Sequence, residues 1–393
     1  MGKYKLMKVE NSSKLNYGNL LFLFLTPPLS VLLGIWYIYE NGLHIADILI
    51  FFSMYILTGM SITAGYHRCF SHKSYECHGI IKFFFLAFGA AAFENSAVEW
   101  CSDHRVHHKY SDKELDPYNP KKGFFWAHMG WILYHDKPDT SYSTIPDLLK
   151  SKLIMFQHRY YLPIAISFSF LLPFLIGMTY DRAFGALLFG GLLRLVFTHH
   201  STFLINSAAH FFGKRTYCSN SSARDNWLLA IFTFGEGYHN FHHKFPADFR
   251  NGITRFSFDP TKWLIQVLSF LKLSWKLKET PEWSILRAKF QVQYDKLSQT
   301  IDLLPQNLQK ELEPKLDSTR EKFEKNILLF REQVELFQKR LSDIKEHSEI
   351  EKKKMKLEFR KRAEEFRTEM LDLQNECSIL IQQLKAKIPS NIG

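Results

Sequence analysis

Residues 46–72 read ADILIFFSMYILTGMSITAGYHRCFSH. The apolar part, 46–65, carries no charge after Asp47 and has the ~20 residues that a helix needs to cross a hydrocarbon core. Two histidines, His67 and His72, follow it directly. The stretch therefore predicts a membrane-spanning helix that ends in a pair of potential metal ligands.

Three further apolar stretches have a similar length: 20–39, 162–180 and 183–205. The first contains Pro27 and Pro28, which membrane helices tolerate, and the last is interrupted by Arg194. Short polar segments at 40–44 and 181–182 join the four stretches in two pairs. We therefore expect an all-α integral membrane protein with four transmembrane helices in two hairpins. Two shorter apolar runs, 80–92 and 227–234, are predicted to lie at the membrane interface or under a cytosolic cap.

The basic residues of this 393-residue chain are unevenly placed. They concentrate in the N-terminal tail and in the segments 66–160 and 210–300, whereas the two hairpin turns contain only Arg182. The positive-inside rule therefore places both termini and both large segments in the cytosol, at a bacterial inner membrane or the endoplasmic reticulum. The net charge of +11 would suit a nucleic acid, but no basic stripe with interleaved aromatic residues is present, so we expect no nucleic-acid partner.

The five cysteines form no C-x-x-C pair and are odd in number, which favours a reducing compartment and small buried residues over a disulfide framework.

The 17 histidines include several that recur at short, regular spacings. His67 and His72 are five residues apart, so a bend near Ser71 must bring their side chains together. In two H-x-x-H-H motifs, positions i, i+3 and i+4 share a helix face, so the three imidazoles of each motif are expected to converge on one centre. Asn206 and His210 share a face in the same way. The motifs are His104, His107 and His108, followed by His239, His242 and His243.

Eight imidazoles in such motifs would repel one another when protonated and would be costly to bury without a metal, so we predict a metal site. Imidazole alone does not discriminate among iron, copper, zinc and nickel. His199 and His200 are left open as neighbours of the site. The isolated histidines are interpreted as ordinary polar residues: His44, His78, His128, His135, His158 and His347.

The sequence around these histidines resembles the membrane acyl-CoA (stearoyl-CoA, delta-9 type) fatty acid desaturases. The resemblance covers about 15–290 and is carried by GYHRCFSH (65–72), EWCSDHRVHHK (99–109), DPYNPKKGFFWAHMGW (116–131), NSAAH (206–210) and GEGYHNFHH (235–243). It implies a four-span enzyme whose cytosolic helical cap holds a histidine-rich di-iron site, with Asn206 near the second iron through water. The implied iron ligands are His67, His72, His104, His107, His108, His210, His239, His242 and His243.

The family's activity is the O₂-dependent insertion of a cis double bond, at the delta-9 position, into a long-chain saturated acyl-CoA. Electrons would come from a separate haem cytochrome or ferredoxin-type donor and its reductase, since the sequence contains neither an H-P-G-G haem motif nor a ferredoxin cysteine pattern. Alternatives are a membrane fatty acid hydroxylase and a desaturase acting on acyl carrier protein or phospholipid. A metal transporter or a coiled-coil scaffold is disfavoured, because the ligands lie at the cytosolic span ends and no histidine motif is broken.

Other residues are candidates for supporting roles. Asp103, Asp112, Glu236 and Asn240 are polar residues near the histidines that are expected to hold imidazole N–H groups. Trp100, Thr202 and Phe203 are predicted to form the wall of an acyl tunnel or to pack in the core.

The residues expected to contact the acyl carrier depart from the family in part. Ser102 and His135-Asp136 stand where the animal enzymes have basic residues that would grip CoA phosphates, whereas Asn95 and Asp103 match the family's polar contacts. Lys121, Lys122 and Lys137 are expected to compensate.

Beyond Pro314 the sequence changes character. No Gly or Pro occurs over 315–387, and apolar residues recur at steps of four and three. This pattern predicts a coiled coil, with a solvated helical tail as the alternative, and it leaves open whether the helix self-associates, folds back or binds a partner. The predicted organisation is a cytosolic tail (1–18), a desaturase domain (19–290), a linker (291–314) and a coiled coil (315–388).

Overall fold

The computed structural model describes residues 15–134, 142–343 and 349–387. The described chain is mostly helical and divides into two compact units. The first unit comprises 1–214 and 221–279, and the second comprises 215–220 and 280–393. The predictions for His135, Asp136, Lys137 and His347, and for most of the N-terminal tail, fall outside the described residues.

Four helices of the first unit are long and apolar enough to cross a membrane: Tyr17–Asn41, Ile45–Ser71, Tyr161–Met178 and Ala183–Phe211. Many of their apolar side chains face outward, and Leu32 and Ile35 are 65% and 62% exposed. Such exposure is unusual for a water-soluble monomer and suits contact with lipid. The four predicted spanning helices are thus confirmed by length and composition.

Most of these long helices contain a wider, π-helical segment. The first is a single helix, α1 (Tyr17–Asn41), which keeps Pro27 and Pro28 inside it. The second begins as α2 (Ile45–Met60), behind a capping box of His44 and Asp47, and continues as the π-helix Ser61–Ser71. The third comprises α7 (Tyr161–Ile166), the π-helix Ser167–Leu171 and α8 (Leu172–Met178). The fourth comprises α9 (Ala183–Ala186), the π-helix Leu187–Leu193, α10 (Arg194–Asn206) and α11 (Ala208–Phe211).

Shorter elements complete the first unit. Its helices are α3 (Gly79–Ala90), α4 (Ala97–Tyr110), α5 (Trp131–Leu133), α6 (Lys152–Arg159), α12 (Trp227–Phe232), α13 (His239–Lys244) and α14 (Pro260–Phe270). Single turns occupy Pro120–Lys122, Trp126–Gly130 and Leu148–Lys150, and strands β1 (Glu76–Cys77) and β2 (Ser274–Trp275) pair antiparallel. Helices α3 and α12 match the two short apolar runs and are too short to span a bilayer, as predicted.

Cys69, Cys77 and Cys101 lie free and buried in the apolar core of this unit. Their burial agrees with the prediction that the cysteines serve as small apolar residues.

The described residues of the second unit form three long helices, α15 (Glu282–Ile301), α16 (Gln306–Asp343) and α17 (Glu349–Lys387). Phe330 stacks on Phe366 with ring centroids 3.8 Å apart, and Phe337 stacks on Phe359 at 4.0 Å. Because residues later in α16 meet residues earlier in α17, the two helices run antiparallel and the chain folds back on itself.

Helix α15 packs on the same core, where Phe290 stacks on Phe323. The predicted linker 291–314 therefore coincides with the second half of α15 and the start of α16. Pro314, which suggested a boundary in the sequence, lies inside α16.

Candidate metal centre

The π-helix Ser61–Ser71 determines how His67 and His72 are placed. The backbone N–H of His72 donates to the carbonyl oxygen of His67 at 3.1 Å, a bond that spans five residues as in a π-turn. This wide turn sets the two residues one turn apart, with ring centroids 4.8 Å from each other. The expected bend near Ser71 is thus supplied by the π-helix.

The remaining histidines come from three other helices. Helix α4 starts at a capping box of Ser96 and Glu99 and carries the first H-x-x-H-H motif two turns later. Helix α13 carries the second motif, and the single turn α11 carries His210. Segments far apart in the sequence therefore deliver their imidazoles to one region.

The structure gathers nine histidines into two clusters, and within each cluster the potential ligand atoms all lie within 4.8 Å of one another. The first cluster contains His67, His72, His104, His108 and His242, and the second contains His107, His210, His239 and His243. The expectation that each H-x-x-H-H motif converges on one centre was wrong. In both motifs the residues at i and i+4 join one cluster and the residue at i+3 joins the other, because the α-helix turns the i+3 side chain away from the other two.

Within each cluster the Nε2 atoms face one another at hydrogen-bond distance. In the first cluster the Nε2 atom of His72 lies 2.8 Å from that of His104, and the Nε2 atom of His67 lies 3.0 Å from that of His242. In the second cluster, the Nε2 atom of His239 lies 3.1 Å from that of His210 and 3.0 Å from that of His243.

Three of the opposite ring nitrogens lie beside a group that favours a proton on Nδ1. His107 Nδ1 lies 2.8 Å from Asp116, His67 Nδ1 lies 2.9 Å from Glu236, and His210 Nδ1 lies 2.6 Å from the Ser222 hydroxyl. A proton on Nδ1 leaves Nε2 as a bare lone pair. Several lone pairs directed at one point repel each other unless a cation lies between them, so this donor set fits a metal ion in each cluster.

Electrostatics favour the neutral form of these imidazoles, which is the form that binds metal. Burial, reinforced by neighbouring histidines, holds the pKa of His72, His104, His108, His239, His242 and His243 well below its usual range.

A buried ion-pair network fixes Glu236 against His67. Arg68 donates to Glu236 Oε1 at 3.0 Å and to both oxygens of Asp259, and its side chain is 1% exposed. Asn251 Nδ2 donates to the second oxygen of Glu236 at 2.7 Å. Although burial alone would raise the pKa of Glu236, His67 and Arg68 lower it below its usual range. The carboxylate is therefore held ionised and oriented toward the His67 ring.

The residues expected to support the ligands are placed as follows. Glu236 lies beside His67. Asp112 accepts a hydrogen bond from the Ser222 hydroxyl, and this hydroxyl in turn contacts Nδ1 of His210. Asp103 lies in the wall of a neighbouring cavity. The side chain of Asn240 donates to the carbonyl oxygen of Ala223.

Sequence reasoning missed three supporting residues, Asp116, Arg68 and Ser222. Asp116 and Arg68 stand inside the quoted motifs, but helical spacing does not relate either of them to the histidine that it supports. Asp116 follows His107 across an irregular loop, and Arg68 acts through Glu236.

A cavity of about 180 Å³ adjoins both clusters. His67 and His104 from the first cluster and His107 and His239 from the second line it, together with Asn206. The predicted substrate residues in its wall are Asn95, Trp100, Asp103, Thr202 and Phe203.

Lys121 and Lys122 do not line this cavity and lie exposed in the turn Pro120–Lys122. The Lys122 ammonium group lies 4.3 Å from the Trp126 ring, over its face. Ser102 is buried.

Comparison with known proteins agrees with this geometry. A family model described as fatty acid desaturase matches residues 45–252. The chain is 40% identical over 270 residues to Acyl-CoA desaturase 1 of Saccharomyces cerevisiae, covering 67% of this chain and 52% of that protein. It is 38% identical to Delta(9)-fatty-acid desaturase fat-7 of Caenorhabditis elegans, over 58% of this chain and 69% of that protein.

Human stearoyl-CoA desaturase is 37% identical over 241 residues, which cover 59% of this chain and 66% of the human protein. The match to the yeast relative spans about half of that protein's length. Together with the two histidine clusters, these similarities show that the chain belongs to the fatty acid desaturase family, in its acyl-CoA (stearoyl-CoA, delta-9) branch.

Proposed function

We propose that the chain is an O₂-dependent desaturase that inserts a cis double bond, at the delta-9 position, into a long-chain saturated acyl-CoA. The observation that carries this proposal is the cavity shared by both histidine clusters. Its wall combines metal-binding imidazoles with Trp100, Phe203 and other apolar side chains, so a methylene chain lying in it would run beside both metals. Relatives named as acyl-CoA, delta-9 and stearoyl-CoA desaturases support the same substrate class.

The metals proposed for the two clusters are iron. Removing hydrogen from an unactivated methylene group needs a stronger oxidant than any side chain, and two irons supply that chemistry with O₂ and external electrons. His67, His72, His104, His108 and His242 would hold one iron. The second would be held by His107, His210, His239 and His243, with Asn206 near it through water.

The proposed role of the protein's own side chains is to position the metal ligands and to shape the cavity. Asp116 and Ser222 would hold the Nδ1 protons of His107 and His210, and the Glu236 carboxylate lies 2.9 Å from His67 Nδ1, so that the Nε2 lone pairs point at the metals. The Trp100 ring stacks on the His104 ring with centroids 4.9 Å apart, and both side chains line the cavity. A wall of this kind would select which carbon–carbon bond of the chain lies at the metals.

Acyl-CoA is the proposed carrier, with acyl carrier protein and phospholipid as the alternatives. Lys121 and Lys122 are exposed, and their charges suit the phosphates of CoA. Changing both to Ala should raise KM for stearoyl-CoA selectively while leaving the metal content intact. Unchanged kinetics with stearoyl-CoA would contradict CoA recognition by this pair.

The proposed setting is a bilayer crossed four times, as two hairpins, with both termini and the metal centre on the cytosolic side. The exposed apolar faces of the four long helices and the placement of the basic residues support this arrangement. The proposed electron source is a separate haem cytochrome or ferredoxin-type protein with its reductase. For the helices α16 and α17, we propose coiled-coil packing within the chain, with the exposed faces available to a second copy or to another partner.

The activity is tested by expression in a host that lacks its own desaturase, followed by analysis of the cellular fatty acids. We expect a new mid-chain cis monoene that disappears in the His107→Ala variant. A hydroxylated fatty acid in place of the monoene would overturn desaturation and favour hydroxylation.

A further inference from the structure

One carboxyl group in the cavity wall has no role in holding the metals. Glu94 lies in the turn between α3 and α4, and its Oε2 atom accepts from the Trp100 indole N–H at 3.2 Å. Its Oε1 atom is buried without a hydrogen bond of normal geometry, and the Thr202 side chain is the other polar group that acts on the carboxyl. A buried carboxylate oxygen without a partner is costly, which makes it a candidate for a functional role.

The backbone around Glu94 is held firmly in place. Its two neighbours, Phe93 and Asn95, both adopt positive φ angles, of 54° and 75°, a conformation that side chains other than glycine rarely accept. Helix α10 secures this turn: the Arg194 guanidinium donates to the carbonyl oxygen of Ala91 at 2.9 Å, and His199 Nε2 lies 2.7 Å from that of Ala92. The carboxyl of Glu94 therefore has little freedom to turn away from the cavity.

The surroundings of Glu94 disfavour a negative charge. Burial raises its pKa to about 7, and the polar groups of Thr202 and Trp100 offset only part of that effect. Among the described residues that line the cavity there is no lysine or arginine. Arg194 is bonded to carbonyl and hydroxyl oxygens of Ala91 and Ser169 rather than to a carboxylate.

Other ionisable groups among the described residues approach Glu94 from each neighbouring element. Tyr66 comes from the π-helix after α2, Tyr118 from the loop after α4, and Tyr161 from α7. The remaining ionisable residues of the cavity wall are Asp103, Glu236, His67, His104, His107, His199 and His239. Most of these histidines are proposed iron ligands, and His199 is bonded to a backbone carbonyl.

We propose that Glu94 links acyl-chain binding to proton uptake, so that the acyl chain enters the cavity together with one proton that binds the Glu94 carboxyl. In the empty cavity, water can solvate an ionised Glu94. A methylene chain displaces that water and offers no hydrogen bond, so the occupied cavity favours the neutral acid. The proton comes from solvent, and no covalent bond of the substrate changes. The inference rests on the proposed function, since it takes an acyl chain as the occupant.

The sign of the effect follows from linkage. Because the bound chain favours protonated Glu94, the affinity for the acyl chain is full below the pKa of the free carboxyl and decreases as the pH rises through it. Well above that pKa, the dissociation constant should increase toward about tenfold per pH unit. The affinity of the cavity for the acyl chain would then depend on the pH of the surrounding solution.

The test compares the iron-loaded full-length protein with its Glu94→Gln variant, which preserves shape and removes the ionisation. Stearoyl-CoA binding is measured by calorimetry between pH 6 and pH 9, in two buffers of different ionisation enthalpy. We expect the wild-type protein to take up nearly one proton per ligand at pH 8 and to lose affinity as the pH rises, whereas E94Q takes up none and keeps an almost constant affinity. This pH range extends to both sides of about 7, the value to which burial raises the pKa of Glu94.

Glu99 provides the matched control. It is a nearby carboxyl on α4, it is engaged in the capping box with Ser96, and it does not line the cavity. Because glutamine also serves in a capping box, E99Q should retain the wild-type pH dependence and proton uptake. Equal pH profiles or equal proton uptake in wild type and E94Q would overturn the inference. If stearoyl-CoA is bound and desaturated in that case, the proposed function stands; if it is not bound at any pH, both fall.

Discussion

The nine histidines fall into two clusters that share no residue, so the loss of one ligand should affect one metal and leave the other. We expect His67→Ala and His107→Ala each to reduce bound iron from about two per chain to about one, because each removes a ligand from a different cluster. The measurement is metal analysis of the purified protein. His44→Asn serves as control, since His44 caps α2 far from the clusters and asparagine keeps a cap. Loss of both irons in either single variant would show that the clusters are not independent.

Asp116 should be nearly as important for metal affinity as a ligand. It is buried, it accepts from His107 Nδ1 at 2.8 Å, and it also accepts from the backbone N–H groups of Asp112 and Tyr118. Asp116→Asn removes the charge that holds the His107 proton, so iron affinity at the second cluster should decrease about 10–100-fold. Competition with a chelator measures this change. Affinity within twofold of wild type would contradict a positioning role for Asp116.

At the residue scale, eight of the nine histidines were predicted to bind metal from their spacing, which is local information, whereas His210 was predicted as a ligand from the resemblance to the desaturases. The partition into two clusters was not predicted, since it depends on how α4 and α13 face each other across the site. Arg68 and Asp116 were missed for a related reason. Their partners, Glu236 and His107, lie across loops or in distant segments, and no periodic pattern connects them.

At the scale of elements, the π-helix after α2 and helix α3 are in close contact at a glycine. A Cβ atom at Gly65 would lie 2.5 Å from the Cβ atom of Phe85, closer than side chains accept. Gly65→Ala should therefore push α3 away from the π-helix and destabilise the fold by about 1–3 kcal/mol. Thermal unfolding in detergent measures the change, with bound iron as a second readout because His67 follows two residues later. Gly79→Ala, where a Cβ meets nothing within 4 Å, should leave both unchanged.

The segment 142–150 is tied to α4 by a two-point ion pair. Arg105 donates to both oxygens of Asp147, at 2.7 and 3.0 Å, and Lys73 lies 2.9 Å from the same carboxylate. Although partial burial raises it, the hydrogen bonds from Arg105 and Lys73 hold the pKa of Asp147 well below its usual range.

A carboxyl with a lowered pKa stabilises the fold above its unfolded pKa, near 4, and this contribution is lost as the pH decreases toward the folded value. Asp147→Asn should therefore lower stability by about 1 kcal/mol at pH 7, since the pair is only partly buried. Thermal midpoints of wild type and variant should differ at pH 7 and converge as the pH falls below about 4. A difference that grows toward acid pH would contradict this sign.

Element types were predictable where hydrophobic length is decisive. Four apolar stretches of about 20 residues predicted four long helices, and the shorter runs predicted α3 and α12. The π-helical segments were not predicted, because the residues of 61–71 differ little in composition from an ordinary helix. The bend that His67 and His72 require was the one indirect sign of this π-helix.

At the scale of the whole molecule, the mean hydropathy of −0.17 averages two units of opposite character. One contains the long apolar helices and all but one of the 17 histidines, and the described part of the other contains three long, highly charged helices. The repeat of apolar residues predicted helix over 315–387, but it left the antiparallel return of α17 along α16 open. A heptad-like pattern fits a partner in another chain and a partner in the same chain equally well, and only the contacts between Phe330 and Phe366 and between Phe337 and Phe359 decide between them.

Phe330 is central to this second unit, since it is 8% exposed and stacks on Phe366 of the opposite helix. Phe330→Ala should destabilise the packing of α16 on α17 by about 3–5 kcal/mol, because it removes a large buried ring and leaves a cavity. Hydrogen exchange of the intact protein should then show faster exchange in both helices around Phe330 and Phe366. Leu329→Ala, next along the chain but 48% exposed, should leave exchange close to wild type. If helices from separate chains supplied the packing instead, exchange in wild type would become faster on dilution, whereas contacts within one chain are independent of protein concentration.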